Sequence, residues 1–178
     1  MAERLSTVFL DRDGVINVNA PPGQYTESWS SFEFLPGAVE AVGRLRAAGL
    51  RVVVVTNQRG VALGRMSAAD VEDIHARMIA SGVEVNRVYY CPHEEGECDC
   101  RKPLPGMLER AAREVPGVSL GRSAAMVGDS ETDMEAGRAV GAVLVKVGQA
   151  GSPVDAECAS LAEAVHWLLA SFSVPSSE

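Results

Sequence analysis

The sequence predicts an α/β fold, with an open, mostly parallel, Rossmann-like sheet and helices on both of its faces. Two observations lead to this prediction. Short β-branched or apolar runs alternate along the chain with helical patterns, which is the βαβ arrangement of a parallel sheet. The run RVVVV at 51–55 is continuously apolar rather than alternating, as in a strand that helices cover on both faces.

The individual elements can be placed from their patterns and their end signals. The predicted strands are 7–10, 51–55, 87–91, 124–127 and 143–147. The first predicted helix begins near Pro36 and stops at Gly49, and the second begins after Ser67 and runs to about Ser81. The other predicted helices are 104–114, 131–140 and 161–171. Pro36 suits a first helical turn, and Gly49 offers the left-handed residue that often ends a helix. Ser67 can accept backbone N–H groups as an N-terminal cap.

Length, composition and charge limit the class of protein. With 178 residues, 47% of them hydrophobic, the chain can bury one core and is too short for two ordinary domains. We expect a single, monomeric domain over 1–172, and a disordered tail over 173–178. The formal net charge of -8 argues against a nucleic-acid partner. No apolar run of about eighteen residues occurs, so we expect no membrane partner and a cytoplasmic location.

Polar residues follow the ends of three of the predicted strands. Asp11 and Asp13 follow the first strand, Thr56 follows the second, and Asp129 follows the fourth. The carboxyl ends of parallel strands meet at one edge of an open α/β sheet, where ligands bind. Two long connections, 14–35 and 91–105, leave the same edge, and loops of that length are usually functional. We therefore expect a site at this edge.

Four motifs in order resemble those of the haloacid dehalogenase superfamily of phosphotransferases. They read DRDGVIN, TNQ, RKP and GDSETD, and the match spans residues 8–133. A DxDG segment alone is a weak signal, because aspartate and glycine are common in turns. The complete set in the right order is much more specific.

The resemblance implies a phosphatase that forms an aspartyl phosphate. Asp11 would be the nucleophile and Asp13 the general acid and base, because a carboxylate can attack phosphorus once a cation neutralises the phosphoryl oxygens. Asp11, the Asp13 carbonyl and Asp129 offer the hard oxygen ligands that Mg²⁺ prefers. Thr56 and Lys102 would bind the phosphoryl oxygens.

Three further polar residues are not assigned to catalysis. Asp133 either orients the metal shell or Lys102, or is simply a residue of a first helical turn. His75 and His166 lie inside helical patterns without partners at ligand spacing. We expect both histidines to be ordinary helix residues.

A second constellation consists of Cys91, His93, Cys98 and Cys100, in the pattern C-P-H-x4-C-D-C. Three sulfurs and one imidazole suit a closed tetrahedral Zn²⁺ site, which leaves no open position for catalysis. We expect a structural zinc that fixes the loop 91–100 and so aims the RKP motif that follows it. Free buried thiols and a disulfide between near neighbours are the alternatives. A nucleic-acid zinc knuckle is disfavoured, because HEEGE is acidic.

Within the superfamily, C-P-H…C-D-C-R-K-P resembles the branch that holds heptose bisphosphate phosphatases and histidinol-phosphate phosphatases. FEFLPGA, VVVTNQRGVALG and RKPLPGML are closer to the heptose enzymes. The four-residue zinc spacer and the Pro21-Pro22 pair are closer to the histidinol-phosphate enzymes. Neither group has a large cap domain, so short loops should recognise the substrate. The residues assigned to substrate binding are Arg12, Gly23, Gln24, Tyr25, Asn57, Gln58, Arg59 and Arg101.

Arg101 is the strongest of these candidates. The family uses this arginine for substrate recognition, and a guanidinium can hold a phosphate or sugar hydroxyls in fork geometry. Gly23, Gln24 and Tyr25 align with loop residues that contact substrate in the heptose enzymes. The alternative for Tyr25 is a packing role, and the alternative for Arg59 is a solvated surface position.

The leading hypothesis is hydrolysis of the C7 phosphate of D-glycero-D-manno-heptose 1,7-bisphosphate, in nucleotide-activated heptose biosynthesis. Histidinol phosphate is the alternative substrate. A polynucleotide end phosphatase is a third hypothesis, which the acidic charge disfavours. The fourth is a non-enzymatic interaction module stabilised by zinc. Such a module would need neither the nucleophile nor the lysine nor the metal-binding aspartate.

Overall fold

A computed structural model describes residues 4–175, and its centre is a six-stranded sheet in which all strands are parallel. The strands are β1 (Thr7–Leu10), β2 (Arg51–Asn57), β3 (Arg87–Cys91), β4 (Ala124–Gly128), β5 (Val143–Val147) and β6 (Ala156–Cys158). The predicted open α/β sheet is confirmed. It is wholly rather than mostly parallel.

The direction in which successive strands are added to the sheet reverses at β1. The strand order is β3-β2-β1-β4-β5-β6, so the chain first builds outward on one side of β1 and then crosses to the other side. Thr7 of β1 is in register with Arg51 of β2 and with Ala124 of β4. Open α/β sheets bind ligands at such a switch point, outside the carboxyl ends of the strands. The residues that follow β1 therefore enter the expected site.

Helices cover both faces of the sheet. They are α1 (Ala38–Ala47), α2 (Ala68–Ala80), α3 (Gly106–Glu114), α4 (Glu131–Ala139) and α5 (Leu161–Ser171). One apolar cluster joins α1 and α5 to one face, and a second joins α3 and α4 to the other. In β2, Val52 and Val54 belong to the first cluster and Val53 and Val55 to the second, because successive side chains point to opposite faces. None of the described helices has the length and apolar character needed to cross a membrane.

Some boundaries differ from the prediction. α1 begins at Ala38, after Gly37 with its φ of 75°, rather than near Pro36. α3 begins at Gly106 and not at Leu104, because a residue that precedes proline is disfavoured in the helical conformation. β6 is absent from the prediction, since its sequence AEC contains no apolar run.

The long connection after β1 is organised by its own hydrogen bonds. The N–H of Val18 donates to the carbonyl of Glu33 (2.8 Å), and the N–H of Leu35 donates to the carbonyl of Ile16 (2.9 Å).

Near the ends of the chain, the N–H of Leu5 donates to the carbonyl of Ser173 (2.9 Å). Of the predicted tail, residues 173–175 are described and Val174 packs against the core, whereas 176–178 lie outside the described residues.

Candidate active site

The carboxyl end of the sheet holds a cleft of about 320 Å³. Asp11 directly follows β1, and its backbone N–H donates to the carbonyl of Val127 in β4 (3.0 Å). Asp129 directly follows β4. The residues that line the cleft are Asp11, Asp13, Asn19, Asn57, Lys102, Asp129, Ser130 and Thr132. The first three motif aspartates and the motif lysine thus lie together.

Lys102 is a fixed charge at the base of this cleft, with only 2% of its surface exposed. Its Nζ donates to Asp11 Oδ1 (2.9 Å), to the Val55 carbonyl (2.8 Å) and to Asp133 Oδ1 (2.5 Å). All three ammonium protons therefore have acceptors. Burial alone would lower the pKa of Lys102, but the two carboxylates outweigh it and raise the pKa above its ordinary value.

Three carboxylates face this one lysine. Ligand oxygens of Asp11, Asp129 and Asp133 lie within 4.8 Å of one another. Burial, followed by the charge of Asp133, raises the pKa of Asp11 well above its ordinary value. Burial likewise raises the pKa of Asp129. A divalent cation fits this excess of negative charge, because it would lower both pKa values and Mg²⁺ prefers such oxygen donors.

Asp133 satisfies both of the roles considered for it, through its two oxygens. Oδ1 accepts from Lys102, while Oδ2 accepts from the N–H (3.1 Å) and the hydroxyl (2.8 Å) of Ser130. The N–H of Asp133 donates back to the Ser130 hydroxyl (3.3 Å), which completes a capping box at the start of α4. A Cβ on Gly128 would overlap the Asp133 side chain. The glycine of GDSETD therefore makes room for this fully buried carboxylate.

The Asp13 carboxylate accepts four hydrogen bonds from three side chains. Arg12 Nη2 donates to both oxygens (2.9 and 3.1 Å), Asn17 Nδ2 to Oδ1 (2.8 Å) and Gln58 Nε2 to Oδ2 (3.0 Å). Burial would raise the pKa of Asp13, but the Arg12 charge and these hydrogen bonds together lower it below its ordinary value. The carboxylate is thus held ionised and in one orientation.

Arg12 lies beneath the cleft rather than in it. Its guanidinium is fully buried and, besides Asp13, donates from Nη1 to His75 Nε2 (3.1 Å). The guanidinium carbon is 5.9 Å from the centre of the Phe32 ring. A substrate in the cleft does not reach this side chain. Arg12 is therefore placed against Asp13 and His75, and not where a substrate-binding residue is expected.

His75, which the sequence analysis expected to be an ordinary helix residue, is a neighbour of the site. It is buried on α2 with Val71, Ile74 and Met78. This spacing marks one inward face of a helix and is the signal that could have identified His75. Because a guanidinium only donates, Nε2 must accept, and the ring proton lies on Nδ1. Burial, followed by the charge of Arg12, lowers the pKa of His75 to about 3, so the ring is neutral.

Two asparagines of the 14–35 connection also contact the carboxylates and are absent from the prediction. Asn17 donates to Asp13, and Asn19 Nδ2 donates to Asp129 Oδ2 (2.6 Å). Gly14, with φ +82°, lies beside this second pair, and a Cβ there would overlap both Asp129 and Asn19. The glycine of DRDG is therefore required by its backbone conformation and by the close approach.

The TNQ residues connect the other motifs. Gln58 Nε2 donates to Thr56 Oγ1 (2.9 Å) as well as to Asp13. Because Thr56 accepts this bond, its own O–H remains free to donate to another group. Asn57 Nδ2 donates to the Lys102 carbonyl and Asn57 Oδ1 accepts from the Lys102 N–H, both at 3.0 Å. The end of β2 is thereby fastened to the RKP motif.

A second cleft, of about 210 Å³, adjoins the first and shares Asp13, Asn19 and Asn57 with it. Gln24, Tyr25 and Gln58, all assigned to substrate binding, line this second cleft. Tyr25 also packs near Gly60, where an added Cβ would lie 3.2 Å from the Tyr25 ring. Gln24 and Tyr25 thus lie in a cleft directly beside the cleft that holds Asp11 and Lys102.

Gly23, Arg59 and Arg101 are not among the residues that line these two clefts. Gly23 is exposed and an added Cβ there would meet open space. Arg59 is 44% exposed and forms an ion pair with Glu94 of the 91–100 loop. Arg101 is half-buried, and its Nη1 is a buried donor without a hydrogen-bond partner in residues 4–175. An unpaired buried donor is costly, so an acceptor that reached Nη1 would be stabilising.

The four cysteine and histidine residues of the second constellation form one cluster. The Sγ of Cys91 is 3.5 Å from Cys98 Sγ and 3.5 Å from His93 Nδ1. The Sγ of Cys100 is 3.3 Å from Cys98 Sγ and 3.4 Å from His93 Nδ1. A tetrahedral zinc site has sulfur–sulfur edges of about 3.8 Å and sulfur–nitrogen edges of about 3.5 Å. All four cysteines of the chain are free thiols, with no disulfide. The cluster therefore fits Zn²⁺.

A family model described as a haloacid dehalogenase-like hydrolase matches residues 2–141, which include every residue of the first cleft. The chain belongs to this family. It is 45% identical over 152 residues to the D-glycero-beta-D-manno-heptose-1,7-bisphosphate 7-phosphatase of Pseudomonas putida, covering 82% of this chain and 85% of the relative. It is 37% identical over 185 residues to the enzyme of that name from Salmonella typhi, covering 97% and 94%.

Other members of the haloacid dehalogenase-like family extend this likeness. The D-glycero-alpha-D-manno-heptose-1,7-bisphosphate 7-phosphatase of Mycobacterium bovis is 42% identical over 159 residues, 82% of this chain and 80% of the relative. Among solved structures, the D,D-heptose 1,7-bisphosphate phosphatase from B. bronchiseptica, complexed with magnesium and phosphate, has a TM-score of 0.81 at 33% identity, covering 93% of this chain and 99% of that chain. The predicted superfamily is confirmed.

Proposed function

We propose that this protein is a magnesium-dependent phosphatase that hydrolyses the C7 phosphate of D-glycero-D-manno-heptose 1,7-bisphosphate, through an aspartyl phosphate on Asp11. The reaction belongs to nucleotide-activated heptose biosynthesis. The observation that carries the proposal is one cleft in which Asp11 meets Lys102 and Asp129, in a chain 37% and 45% identical to relatives named for this reaction.

Asp11 has the surroundings of a nucleophile. Lys102 Nζ and the N–H of Arg12 both donate to Oδ1, at 2.9 and 2.8 Å, which fixes the plane of the carboxylate. The other oxygen then attacks phosphorus, and the bond between phosphorus and the C7 oxygen breaks. The free O–H of Thr56 and the charge of Lys102 stabilise the phosphoryl oxygens during this transfer.

Asp13 is the general acid and base of the proposed reaction. It gives a proton to the departing C7 oxygen, and its carboxylate then takes a proton from the water that hydrolyses the aspartyl phosphate. The lowered pKa suits the second step, which needs the ionised form. An incoming phosphate raises the pKa of a neighbouring carboxylate, which suits the first step.

Two metal ions belong to the proposal, with different functions. Asp11, Asp129 and the Asp13 carbonyl would hold Mg²⁺, which neutralises phosphoryl charge when bound. Cys91, His93 and their two cysteine partners at 98 and 100 would hold a structural Zn²⁺. The zinc loop ends where the RKP motif begins, so the zinc helps to place Lys102.

The adjoining cleft and Arg101 account for the choice of a bisphosphate. Gln24 and Tyr25 line the cleft beside the reacting group, and Arg101 has an unpaired donor. A heptose 1,7-bisphosphate brings a second anion for that donor. Histidinol phosphate brings a cationic amine instead, and the relatives are named for the heptose reaction. Heptose bisphosphate is therefore the favoured substrate.

The test is phosphate release by the purified protein from both anomers of the heptose bisphosphate, from histidinol phosphate and from a 5′-phosphorylated oligonucleotide. We expect the highest kcat/KM with a heptose bisphosphate, and ³¹P NMR should show loss of the C7 signal with the C1 signal retained. Asp11→Asn is the inactive control. Light scattering should give the mass of a monomer. A higher kcat/KM with histidinol phosphate or the oligonucleotide would contradict the proposal.

A further inference from the structure

We propose that His75 is a positioning residue for the general acid, which holds the Asp13 carboxylate in its working orientation through Arg12. The inference rests on the function proposed above for Asp13. It concerns a residue outside all four sequence motifs, on a helix that contributes no lining residue to the reaction cleft.

The contacts run in series from α2 to the Asp13 carboxylate, which also accepts from Asn17 and Gln58. His75 Nε2 accepts from Arg12 Nη1 at 3.1 Å, and Arg12 Nη2 donates to the two oxygens of Asp13 at 2.9 and 3.1 Å. A guanidinium is planar and rigid, so fixing one of its nitrogens sets the direction of the others. His75 therefore determines where Nη2 points.

Arg12 has few other restraints. Its Nε has no hydrogen-bond partner in the described part of the chain. The Phe32 ring lies against the guanidinium but supplies no directional bond. Without His75, the hydrogen bonds of the guanidinium would all go to Asp13, and the group could turn about that one contact. The Asp13 carboxylate would keep its hydrogen bonds from Asn17 and Gln58 but would lose the fixed direction of its Arg12 contact.

A neutral acceptor is the suitable partner at this position. A carboxylate in place of His75 would compete with Asp13 for the charge of Arg12, and an apolar side chain would leave Nη1 buried and unpaired. The neutral imidazole satisfies Nη1 and leaves the charge of Arg12 to Asp13. The lowered pKa of His75, to about 3, keeps the ring in that form.

The test compares two substrates in each variant. The heptose bisphosphate has an alkoxide leaving group that needs a proton, whereas p-nitrophenyl phosphate has a leaving group that departs without one. We expect His75→Met to lower kcat about tenfold to a hundredfold more on the heptose bisphosphate than on the aryl phosphate. This ratio does not depend on the fraction of folded protein. His75→Gln, which retains an acceptor, should keep the ratio within about threefold of the wild type.

Tyr90→Phe is the matched control. Tyr90 belongs to β3, and the centroids of the Tyr90 and His75 rings are 5.8 Å apart. The Tyr90 hydroxyl donates to Glu72 (3.0 Å). This variant keeps the ring beside His75, removes the hydrogen bond to Glu72 and leaves Arg12 unchanged, so it should keep the wild-type ratio. A changed ratio in Tyr90→Phe would mean that general packing, and not the acceptor, sets the effect, and would overturn the inference.

Asp13→Asn separates this inference from the function on which it depends. If Asp13→Asn does not change the ratio of the two kcat values, the acid role of Asp13 is refuted. If Asp13→Asn changes this ratio and His75→Met does not, only the role of His75 is refuted.

If His75→Met does not fold, ¹⁵N NMR of the wild-type protein tests the inference instead. The imidazole must carry its proton on Nδ1 and accept at Nε2, and a protonated Nε2 would overturn the inference.

Discussion

The side chain of Asn57 and the backbone of Lys102 exchange two hydrogen bonds, each 3.0 Å long. This pair joins the end of β2 to the segment that follows the cysteine cluster. Cys100 is only two positions before Lys102, so the cluster and the Asn57 contact together set the path of the chain there. The Nζ of Lys102 is then directed to Asp11. The cluster is therefore part of the support of the reaction site.

Loss of zinc should consequently reduce both stability and turnover. We expect close to one Zn²⁺ per chain in the wild type by elemental analysis, and much less in Cys98→Ser and Cys100→Ser. Their melting temperatures should fall, because structural zinc contributes folding free energy. A displacement of about 1 Å at Lys102 can lower kcat about a hundredfold. Cys158→Ser, at the end of β6 and outside the cluster, should retain its zinc. Full activity in metal-free protein would contradict this account.

Asp11→Asn should keep the fold and lower kcat by at least about a thousandfold, because an amide cannot form an acyl phosphate. Steady-state assays with the heptose bisphosphate measure the effect, and circular dichroism checks the fold. The matched control is Asp73→Asn, which makes the same chemical change on the exposed face of α2. Asp73→Asn should be as active as the wild type. Comparable turnover in the two variants would refute Asp11 as the nucleophile.

Removal of divalent cations should abolish activity, and added Mg²⁺ should restore it. The reason is that Asp11 is buried and Asp129 half-buried, and partial or full burial raises the pKa of both carboxyls, which a cation would lower again. Asp129→Asn should raise the Mg²⁺ concentration for half-maximal rate by about tenfold or more. Zinc content must be measured after the EDTA treatment, so that loss of zinc is not mistaken for loss of magnesium. Unchanged activity in EDTA would exclude the proposed metal dependence.

His75 should make the protein less stable as the pH falls below about 6.5. Its pKa is lowered from 6.5 to about 3 in the folded state, so in that window the unfolded chain binds a proton that the folded chain does not. The free energy of unfolding should therefore fall by up to about 1.4 kcal/mol per pH unit from this residue. Urea unfolding at pH 5 and pH 7 measures the slope. His75→Gln should lose this contribution, and equal slopes in the two proteins would contradict it.

The sequence predicted those features that depend on local pattern. The alternating strands and helices, and the acidic residues that directly follow β1 and β4, can be read from neighbouring residues. The link between Arg12 and His75 could not be read in this way, because 63 positions separate them. The direction of the Arg12 side chain likewise depends on Asp13, on His75 and on the Phe32 ring. Only the folded chain brings those groups together.

Arg59 and Arg101, both assigned to substrate binding from the sequence, also show what the sequence alone could not predict. Their sequence positions, directly after TNQ and after the cysteine cluster, suggested similar roles. In the fold, Arg59 is held by Glu94 on an exposed surface, whereas Arg101 keeps a buried donor without a partner. The ion partner of Arg59 comes from a different loop, which local pattern does not reveal. Within the proposed reaction, Arg101 is therefore a better candidate than Arg59 for the second phosphate.

Arg101→Ala should damage the reaction with the heptose bisphosphate far more than the reaction with p-nitrophenyl phosphate, which has no remote anion. Each lost charge-assisted contact is worth about 1.5 to 3 kcal/mol, or roughly tenfold to a hundredfold in kcat/KM. Arg59→Ala should have a smaller effect, because Arg59 is already paired with Glu94.

Arg113→Ala is the matched control for these two variants, since Arg113 lies exposed on α3, among residues that line neither cleft. It should leave kcat/KM unchanged on both substrates. The ratio of kcat/KM values for the heptose bisphosphate and histidinol phosphate should fall in Arg101→Ala, because the second anion of the bisphosphate loses its partner while the cationic amine of histidinol phosphate loses a repulsive neighbour. If Arg101→Ala slows the bisphosphate and the aryl phosphate equally, Arg101 does not read the remote phosphate, and the charge argument for a heptose bisphosphate fails.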